Sequence, residues 1–144
     1  MTAATSCFQS VLAEPDKHFY TVTVPYRRVL VVDDNEDFAE YAALIVKECG
    51  FDVEIARNGK EGLECFCRET PAGLITDLRM PVMSGQELIQ WIRQSHNSNV
   101  PIVVVSAALT ADFCHELSQL AVTCVEKPVS RRVFKEAIKR FRPS

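Results

Sequence analysis

The sequence lacks a large excess of charge of either sign. Its 144 residues include 16 lysines and arginines against 19 aspartates and glutamates, so the formal net charge at pH 7 is only -3. Proteins that bind nucleic acid or anionic membranes through their overall charge are usually strongly basic. We therefore expect neither nucleic acid nor a membrane surface to be a direct partner.

Long apolar runs are also missing. The longest run, residues 100–109, is about half of the roughly 20 apolar residues that a membrane-spanning helix needs. Residues 1–13 have no basic segment ahead of their short apolar stretch, which disfavours a secretory signal. The sequence therefore predicts a soluble, cytoplasmic protein.

Cysteine and histidine patterns typical of zinc sites are absent as well. The six cysteines include no Cys-x-x-Cys pair, and the three histidines are scattered along the chain. Most of the cysteines fall within apolar or helical patterns, so we expect reduced thiols that pack as small hydrophobic side chains. Cys65 and Cys67 are the one close pair, and on a helix two such positions point in different directions.

What the sequence does contain is a fivefold alternation of strand-like and helix-like segments. Such alternation predicts a parallel sheet with right-handed crossovers and helices on both faces. The first, third and fourth strand-like runs, residues 29–32, 73–76 and 102–105, are nearly continuous apolar runs, which is typical of central strands. The second and fifth, residues 51–55 and 121–125, have mixed polarity, which is typical of edge strands.

These polarities set the expected order of the strands. With the mixed strands at the edges, the order is 2-1-3-4-5, and the predicted fold class is a doubly wound (βα)5 three-layer α/β sandwich of flavodoxin-like topology. The switch point of this five-stranded parallel sheet lies between the first and third strands, where such folds bind ligands. We expect the domain to span residues 27–144, preceded by an N-terminal arm, residues 1–26, whose role the sequence does not reveal.

The predicted helices have recognisable starts and inner sides. Ser84 precedes Glu87 by three residues, which is the spacing of a capping box, and Ser130 is placed to cap the last helix. Periodicity assigns one side of each helix to the core. In the first and last helices, the side chains expected to face inward are Phe38, Ala42, Leu44, Ile45, Cys49, Val133, Phe134, Ala137, Ile138 and Phe141.

Polar residues stand at the carboxyl ends of four of the predicted strands. Asp33 and Asp34 follow the first strand, Asp77 the third and Ser106 the fourth, while Lys127 comes shortly after the fifth. Open α/β sheets bind ligands outside these strand ends, so we expect the five side chains around one crevice. Three neighbouring carboxylates repel one another unless a cation offsets their charge. Oxygen ligands of this kind suit Mg²⁺, with Mn²⁺ as a substitute.

These residues lie in motifs that resemble the receiver domain of two-component response regulators, the CheY-like family. The motifs keep the family's order and spacing over about residues 27–142, and they are residues 31–34 (VVDD), 77–85 (DLRMPVMSG), 106–107 (SA) and 127–128 (KP). The resemblance implies that a histidine kinase or a histidine phosphotransfer protein transfers a phosphoryl group to Asp77 and thereby switches protein–protein contacts. Such a receiver is not an enzyme in the usual sense, because it catalyses only its own phosphorylation and dephosphorylation.

The resemblance also implies a ligand set for the metal. Asp34 and Asp77 would bind Mg²⁺ directly, Asp33 largely through water, and Arg79 through its backbone carbonyl. The side chains of Arg79 and Ala108 would lie where they influence how fast water removes the phosphoryl group. A simpler alternative is that Asp33 and Asp34 serve as the cap of the following helix.

Lys127 and Ser106 complete the implied site. Lys127 would pair with Asp77 at rest and with a phosphoryl oxygen afterwards, and a cis bond to Pro128 would direct its ammonium into the site. Ser106 would donate a hydrogen bond to the phosphoryl group and shift inward once it arrives. In this family that shift is commonly coupled to an aromatic residue three positions before the lysine, where this sequence has Cys124. We therefore expect coupling through backbone and loop movement.

Other functions stay open at this point. The chain is either a receiver that acts by itself or the receiver portion of a larger hybrid kinase, and a receiver-shaped adaptor that never uses phosphate is a further alternative. An aspartate-based phosphatase of the haloacid dehalogenase type usually has Asp-x-Asp after the first strand, whereas Asp33 is followed by Asp34 and Asn35. The sequence names neither the cognate kinase nor the downstream target, and it leaves a phosphorylation-dependent dimer open.

Overall fold

The computed structural model describes residues 27–107 and 109–141, together with the backbone of two strands nearer the amino terminus. These strands, β1 (Phe8–Val11) and β2 (Val22–Pro25), pair antiparallel. They fall within the segment that the sequence analysis treats as an N-terminal arm. The rest of that arm lies outside the described residues.

Five further strands form one parallel sheet in the order β4-β3-β5-β6-β7. Counted within this sheet alone, the order is 2-1-3-4-5, which confirms the predicted fold class. The strands are β3 (Arg28–Val32), β4 (Asp52–Ala56), β5 (Gly73–Thr76), β6 (Ile102–Ser106) and β7 (Thr123–Glu126).

The burial of the strands explains this order. Every residue of β3, β5 and β6 is buried, whereas β4 and β7 each contain partly and fully exposed residues. A strand whose side chains are apolar on both faces needs cover on both faces, and only central positions provide it. The edge positions therefore go to the two strands of mixed polarity, as predicted.

Four α-helices connect the strands of the parallel sheet, a fifth follows β7, and each of the five begins at a polar capping residue. The helices are α1 (Glu36–Glu48), α2 (Gly59–Arg68), α3 (Gly85–Gln90), α4 (Ala111–Ser118) and α5 (Arg131–Ile138). The capping side chains each accept a hydrogen bond from a backbone N–H three residues further on, and they are Asn35, Asn58, Ser84, Thr110 and Ser130. The predicted capping box of Ser84 and Glu87 and the predicted cap at Ser130 are both confirmed.

Two hydrophobic cores lie on the two faces of the sheet, because successive side chains of a strand point to opposite faces. One core joins β3, β5 and β6 to α1 and α5, and the other joins the same strands to α2, α3 and α4. Two helix residues expected in the core are instead exposed, Leu44 at 56% and Val133 at 43%. Leu44 follows buried Ala39 by five residues, about 140° around the helix, so it lies on the far side. Val133, in the first turn of α5, is about 140° around the helix from buried Ile138, so it lies at the margin of the buried side.

Two expectations about composition can be compared with the described residues. The five cysteines among them are free thiols, and Cys65 is buried while Cys67 is exposed, as their spacing predicts. Within the described ranges, no helix combines the length and apolar character that a membrane crossing requires.

Candidate functional site

Backbone hydrogen bonds fix the positions of three predicted site residues beyond the ends of the strands. The N–H of Asp33 donates to the last carbonyl of β4 at 3.0 Å, and that of Asp77 donates to the last carbonyl of β3 at 3.0 Å. The N–H of Lys127 donates to the carbonyl of Ser106, at the end of β6, also at 3.0 Å. Each bond extends the parallel ladder past its last paired residue, so the sheet itself places these side chains at one edge.

The three aspartates form a compact carboxylate cluster at this edge. One oxygen from each of Asp33, Asp34 and Asp77 lies within 4.8 Å of the other two. The Asp33 side chain is only 2% exposed and that of Asp77 13%, whereas Asp34 is exposed. The cluster therefore runs from the buried edge of the sheet out to solvent.

The carboxylates of Asp33 and Asp77 are each held through one oxygen by the backbone. Oδ1 of Asp33 accepts from the N–H of Asn35 at 2.9 Å, and Oδ1 of Asp77 accepts from the N–H of Leu78 at 2.7 Å. The other oxygen, Oδ2, of both residues faces the ammonium of Lys127. The backbone bonds orient the two carboxylates toward the same cation.

Lys127 lies between Asp33 and Asp77. Its Nζ is 2.9 Å from Oδ2 of Asp33 and 3.4 Å from Oδ2 of Asp77, and its side chain is 17% exposed. The resemblance implies a pair between Lys127 and Asp77, and the structure adds Asp33 as the nearer partner of Lys127. The bond between Lys127 and Pro128 is cis, as the resemblance implies.

Burial and the ammonium of Lys127 act in opposite directions on the pKa of Asp33. Burial raises the pKa of its carboxyl above the ordinary value, and the neighbouring charge of Asp77 raises it further. The hydrogen bonds from Asn35 and Lys127, together with the charge of Lys127, lower the same pKa. The ionised form of Asp33 therefore depends on the ammonium beside it.

The structure rules out the simpler explanation of the first two aspartates. The N-cap of α1 is Asn35, whose Oδ1 accepts from the N–H of Phe38 at 3.0 Å. The alternative in which Asp33 and Asp34 cap this helix is therefore wrong.

The loop after β5 brings the backbone close to Asp77. The N–H of Gly85 donates to the carbonyl of Leu78 at 2.8 Å, and a Cβ at Gly85 would lie 1.8 Å from the carbonyl oxygen of Asp77. A side chain at this position is sterically excluded unless the loop moves. The 77–85 motif is visible in the sequence, but only the contact between Gly85 and the backbone of Asp77 shows why its last residue is glycine.

The same loop contains an unusual turn. Val82 has φ 71°, and the N–H of Met83 donates to the carbonyl of Pro81 at 2.8 Å, which closes a γ-turn. A β-branched residue with positive φ is strained, and Val82 is 77% exposed, so little burial offsets the strain. Arg79, in the same loop, is also exposed.

The remaining predicted residues lie on β6, β7 and the loop after β6. Ser106 is buried at the end of β6, Ala107 beside it is exposed, and Ala108 lies outside the described residues. Cys124 pairs in register with Val104 and packs on the α4 side of the sheet. Burial raises the pKa of the Cys124 thiol to about 11, with a smaller contribution from its interaction with Cys114.

Two aromatic residues beside the site were not identified as functional from the sequence. The Phe38 ring lies under the ammonium of Lys127, with 4.3 Å between Nζ and the ring centroid. The hydroxyl of Tyr41 donates to the carbonyl of Val129 at 3.0 Å. Periodicity assigned Phe38 to the core, and nothing local indicates its contact with Lys127, because the two are far apart in the sequence.

Comparison with known proteins agrees with this geometry. The family model of the response regulator receiver domain matches residues 29–139. A response regulator receiver protein of Anaeromyxobacter is 41% identical over 80 residues, which cover 56% of this chain and 34% of that protein. Hybrid signal transduction histidine kinase D of Dictyostelium discoideum is 35% identical over 104 residues, covering 71% of this chain and 7% of the kinase. The chain thus spans about a third or less of these curated relatives.

Solved structures show the same similarity. The response regulator receiver protein from Pseudomonas putida has a TM-score of 0.73 and 31% identity, covering 81% of this chain and 98% of that one. The CheY-like receiver domain protein from Methanospirillum hungatei has a TM-score of 0.73 and 25% identity, covering 79% of this chain and 91% of that one. Sheet order, strand-end residues and sequence similarity agree, and the chain therefore belongs to the response regulator receiver domain family of two-component systems.

Proposed function

We propose that this chain is a phosphoacceptor receiver, in which Mg²⁺-dependent transfer of a phosphoryl group to Asp77 switches protein–protein contacts. The donor is a histidine kinase or a histidine phosphotransfer protein. The observation that carries the proposal is a largely buried ammonium, Lys127, that contacts two carboxylates of a cluster of three. We assign this function to residues 27–144, with residues 1–26 as a separate arm.

Accessibility supports Asp77 as the phosphoacceptor among the three aspartates. Asp33 is almost fully buried, so a phosphodonor cannot approach its oxygens. Asp77 is partly accessible and lies within reach of Lys127, at 3.4 Å. Asp34 is exposed, while the ion pairs of Lys127 run to the other two aspartates. Asp77 thus combines access for a donor with a cation for the transferred group.

The carboxylate cluster fits a hard divalent cation. Its three oxygens lie within 4.8 Å of one another, and oxygen donors of this kind are the ligands that Mg²⁺ prefers, with Mn²⁺ as a substitute. We assign Asp34 and Asp77 as direct ligands, Asp33 as a ligand through water, and Arg79 as a ligand through its backbone carbonyl. When bound, the metal supplies positive charge for the oxygens of the phosphoryl group.

The transfer step uses few groups of this chain. A bond forms between a carboxylate oxygen of Asp77 and phosphorus while the bond from phosphorus to the donor histidine nitrogen breaks, and its electron pair stays on the imidazole. Lys127 moves its ammonium from the carboxylates to a phosphoryl oxygen, where it offsets negative charge. The hydroxyl of Ser106 donates a hydrogen bond to the phosphoryl group, and the place of Ser106 at the end of β6 supports this role.

A labelling experiment tests the proposal. The protein is incubated with Mg²⁺ and a small phosphodonor such as phosphoramidate, and intact mass is followed. We expect the gain of one phosphoryl group in the parent chain and in the control Asp52→Asn, which changes an exposed carboxylate at the start of β4. We expect no gain in Asp77→Asn. Unimpaired labelling of Asp77→Asn contradicts the assignment, and no labelling of the parent chain favours a phosphate-independent adaptor.

Similarity to kinases adds a second setting for the same function. Besides the Dictyostelium protein, sensor histidine kinase TmoS of Ectopseudomonas mendocina is 39% identical over 84 residues, which cover 8% of the kinase. The matched part of such relatives is a small portion of a long protein. A receiver within a hybrid kinase would use the same chemistry at Asp77.

A further inference from the structure

The ammonium of Lys127 is enclosed on three sides. Oδ2 of Asp33 and Oδ2 of Asp77 lie at 2.9 and 3.4 Å, and the centroid of the Phe38 ring lies at 4.3 Å. A lysine side chain has four rotatable bonds and many rotamers of similar energy. Its ammonium is therefore held in one place only by its surroundings. The ring face carries the negative part of the aromatic quadrupole and attracts a cation placed over it.

The Phe38 ring is itself held by neighbours on two helices. It stacks on the ring of Phe134 in α5, with 6.0 Å between the ring centroids and 7° between the ring planes. It also contacts Tyr41, with 5.9 Å between centroids. The N–H of Phe38 donates to the capping oxygen of Asn35. A ring fixed by packing and by a helix cap is a rigid surface for the ammonium.

The cluster of Phe38, Tyr41 and Phe134 is also connected to the loop that carries Lys127. The hydroxyl of Tyr41 donates to the carbonyl of Val129, two residues after Lys127, at 3.0 Å. The rings of Tyr41 and Phe134 also contact each other, with 6.2 Å between centroids. The backbone near Lys127 and the ring under its ammonium are therefore both anchored to α1.

We infer that Phe38 is a positioning residue for the phosphoryl-transfer step, and that its ring face holds the ammonium of Lys127 beside Asp77. This inference rests on the proposed function, since it assigns Phe38 to the same step. If Phe38 has this role, the rate of phosphoryl transfer to Asp77 depends on the quadrupole of the Phe38 ring as well as on the size of the ring. A purely structural Phe38 would contribute through packing in the core around α1 and α5, to which it also belongs.

Graded fluorination separates these two roles. Fluorine atoms on a phenyl ring weaken the negative potential of its face while changing its size little, so they weaken a cation–π contact progressively. Phe38 is replaced by phenylalanines with increasing numbers of ring fluorines, and Phe51 is replaced by the same series as a matched control. Phe51 is a buried phenylalanine of the same core, and its ring partner is Phe141.

We expect the rate of Asp77 labelling by phosphoramidate to fall progressively along the Phe38 series, by about threefold to thirtyfold at full fluorination. Phe38→Leu should label as slowly as the fully fluorinated protein, and Phe38→Tyr should restore most of the rate. The Phe51 series should label at the parent rate. A flat Phe38 series, or an equal fall in the Phe51 series, overturns the inference.

A second measurement does not depend on phosphorylation. The ring current of Phe38 shifts the ε-methylene protons of Lys127 upfield, and NMR of lysine-labelled protein shows whether Phe38→Leu removes this shift. We expect the shift in the parent protein and its loss in the variant, and an unshifted parent resonance contradicts the geometry. If Asp77 in the parent chain is never labelled, the proposed function fails. If it is labelled normally and the Phe38 series is flat, only this inference fails.

Discussion

The ammonium of Lys127 balances two aspartates that otherwise repel each other, and removing it gives a prediction with a magnitude. Oxygens of Asp33 and Asp77 lie within 4.8 Å of each other. Two unit charges at 4.8 Å repel by about 3.5 kcal/mol at an effective dielectric constant of about 20. Removing one partner of a largely buried ion pair typically costs 3–5 kcal/mol. Because Lys127 is 17% exposed, we expect Lys127→Met to lower the free energy of unfolding by about 3 kcal/mol in metal-free buffer.

The loss of stability in Lys127→Met should increase with pH. Burial raises the pKa of Asp33 in the folded protein above its unfolded value, so ionisation of Asp33 reduces stability as pH increases. Lys127 lowers this pKa, and without it the folded-state pKa rises further. The deficit of the variant should therefore shrink as the pH falls and Asp33 becomes protonated, and it should grow toward about pH 7.

Lys127→Met should weaken the fold but strengthen Mg²⁺ binding. In the proposed metal site the ammonium would compete with Mg²⁺ for the carboxylates of Asp33 and Asp77, so we expect Lys127→Met to bind Mg²⁺ about tenfold more tightly, or about 1.4 kcal/mol. At a concentration of one hundred times the Kd, bound metal should return about 2.7 kcal/mol of stability. Urea unfolding at several pH values, with EDTA or with Mg²⁺, measures both the loss of stability in the variant and the stability that bound Mg²⁺ returns.

The control for this experiment is Lys60→Met, which removes an exposed lysine of α2. It should change the free energy of unfolding by less than about 0.5 kcal/mol. If Lys127→Met is as stable as Lys60→Met at pH 7 and binds Mg²⁺ no more tightly than the parent chain, then Lys127 does not offset the repulsion between Asp33 and Asp77.

Three other changes test separate parts of the structure. Gly85→Ala places a Cβ 1.8 Å from the carbonyl oxygen of Asp77, so we expect a loss of about 1–3 kcal/mol in urea unfolding and slower labelling of Asp77; parent-like behaviour contradicts the close approach. Val82→Gly relieves a positive φ at an exposed residue, so it should raise the free energy of unfolding by up to about 1 kcal/mol, and a destabilised variant argues against strain. In iodoacetamide labelling at about pH 8, exposed Cys67 should react well before Cys124, whose thiol has its pKa raised to about 11 by burial; equal rates contradict this.

The fold was predictable because its signals are local. Runs of apolar residues identify the central strands, mixed runs identify the edges, and capping residues such as Ser84 and Ser130 mark helix starts without reference to the rest of the chain. The errors at Leu44 and Val133 have the same origin, since an apolar side chain within a periodic segment was assigned inward although its angle around the helix points elsewhere. Periodicity gives the direction of a helix face, and it does not require every apolar residue to lie on that face.

The candidate site was predictable in part for a topological reason. Parallel strands end at one edge, so residues that follow the strands must come together, and Asp33, Asp77 and Lys127 do so. The contacts that refine the site depend on tertiary packing and have no local signal. The ring of Phe38 under Lys127 requires the docking of α1 beside the loop after β7, and the exclusion of a side chain at Gly85 requires the loop after β5 to fold back on itself.

The replacement of the usual aromatic residue by Cys124 bears on how the site communicates with the rest of the protein. The N–H of Lys127 donates to the carbonyl of Ser106, so the backbone at the end of β6 is bonded directly to the residue that carries the ammonium. Ser106 also pairs in register with Glu126, and Val104 pairs with Cys124. These ladder bonds lead from the site into β7 without any side-chain rotation. Because a thiol is much smaller than an aromatic ring, we predict that any signal from the proposed site reaches the half-buried packing around Cys124 through the β6–β7 backbone.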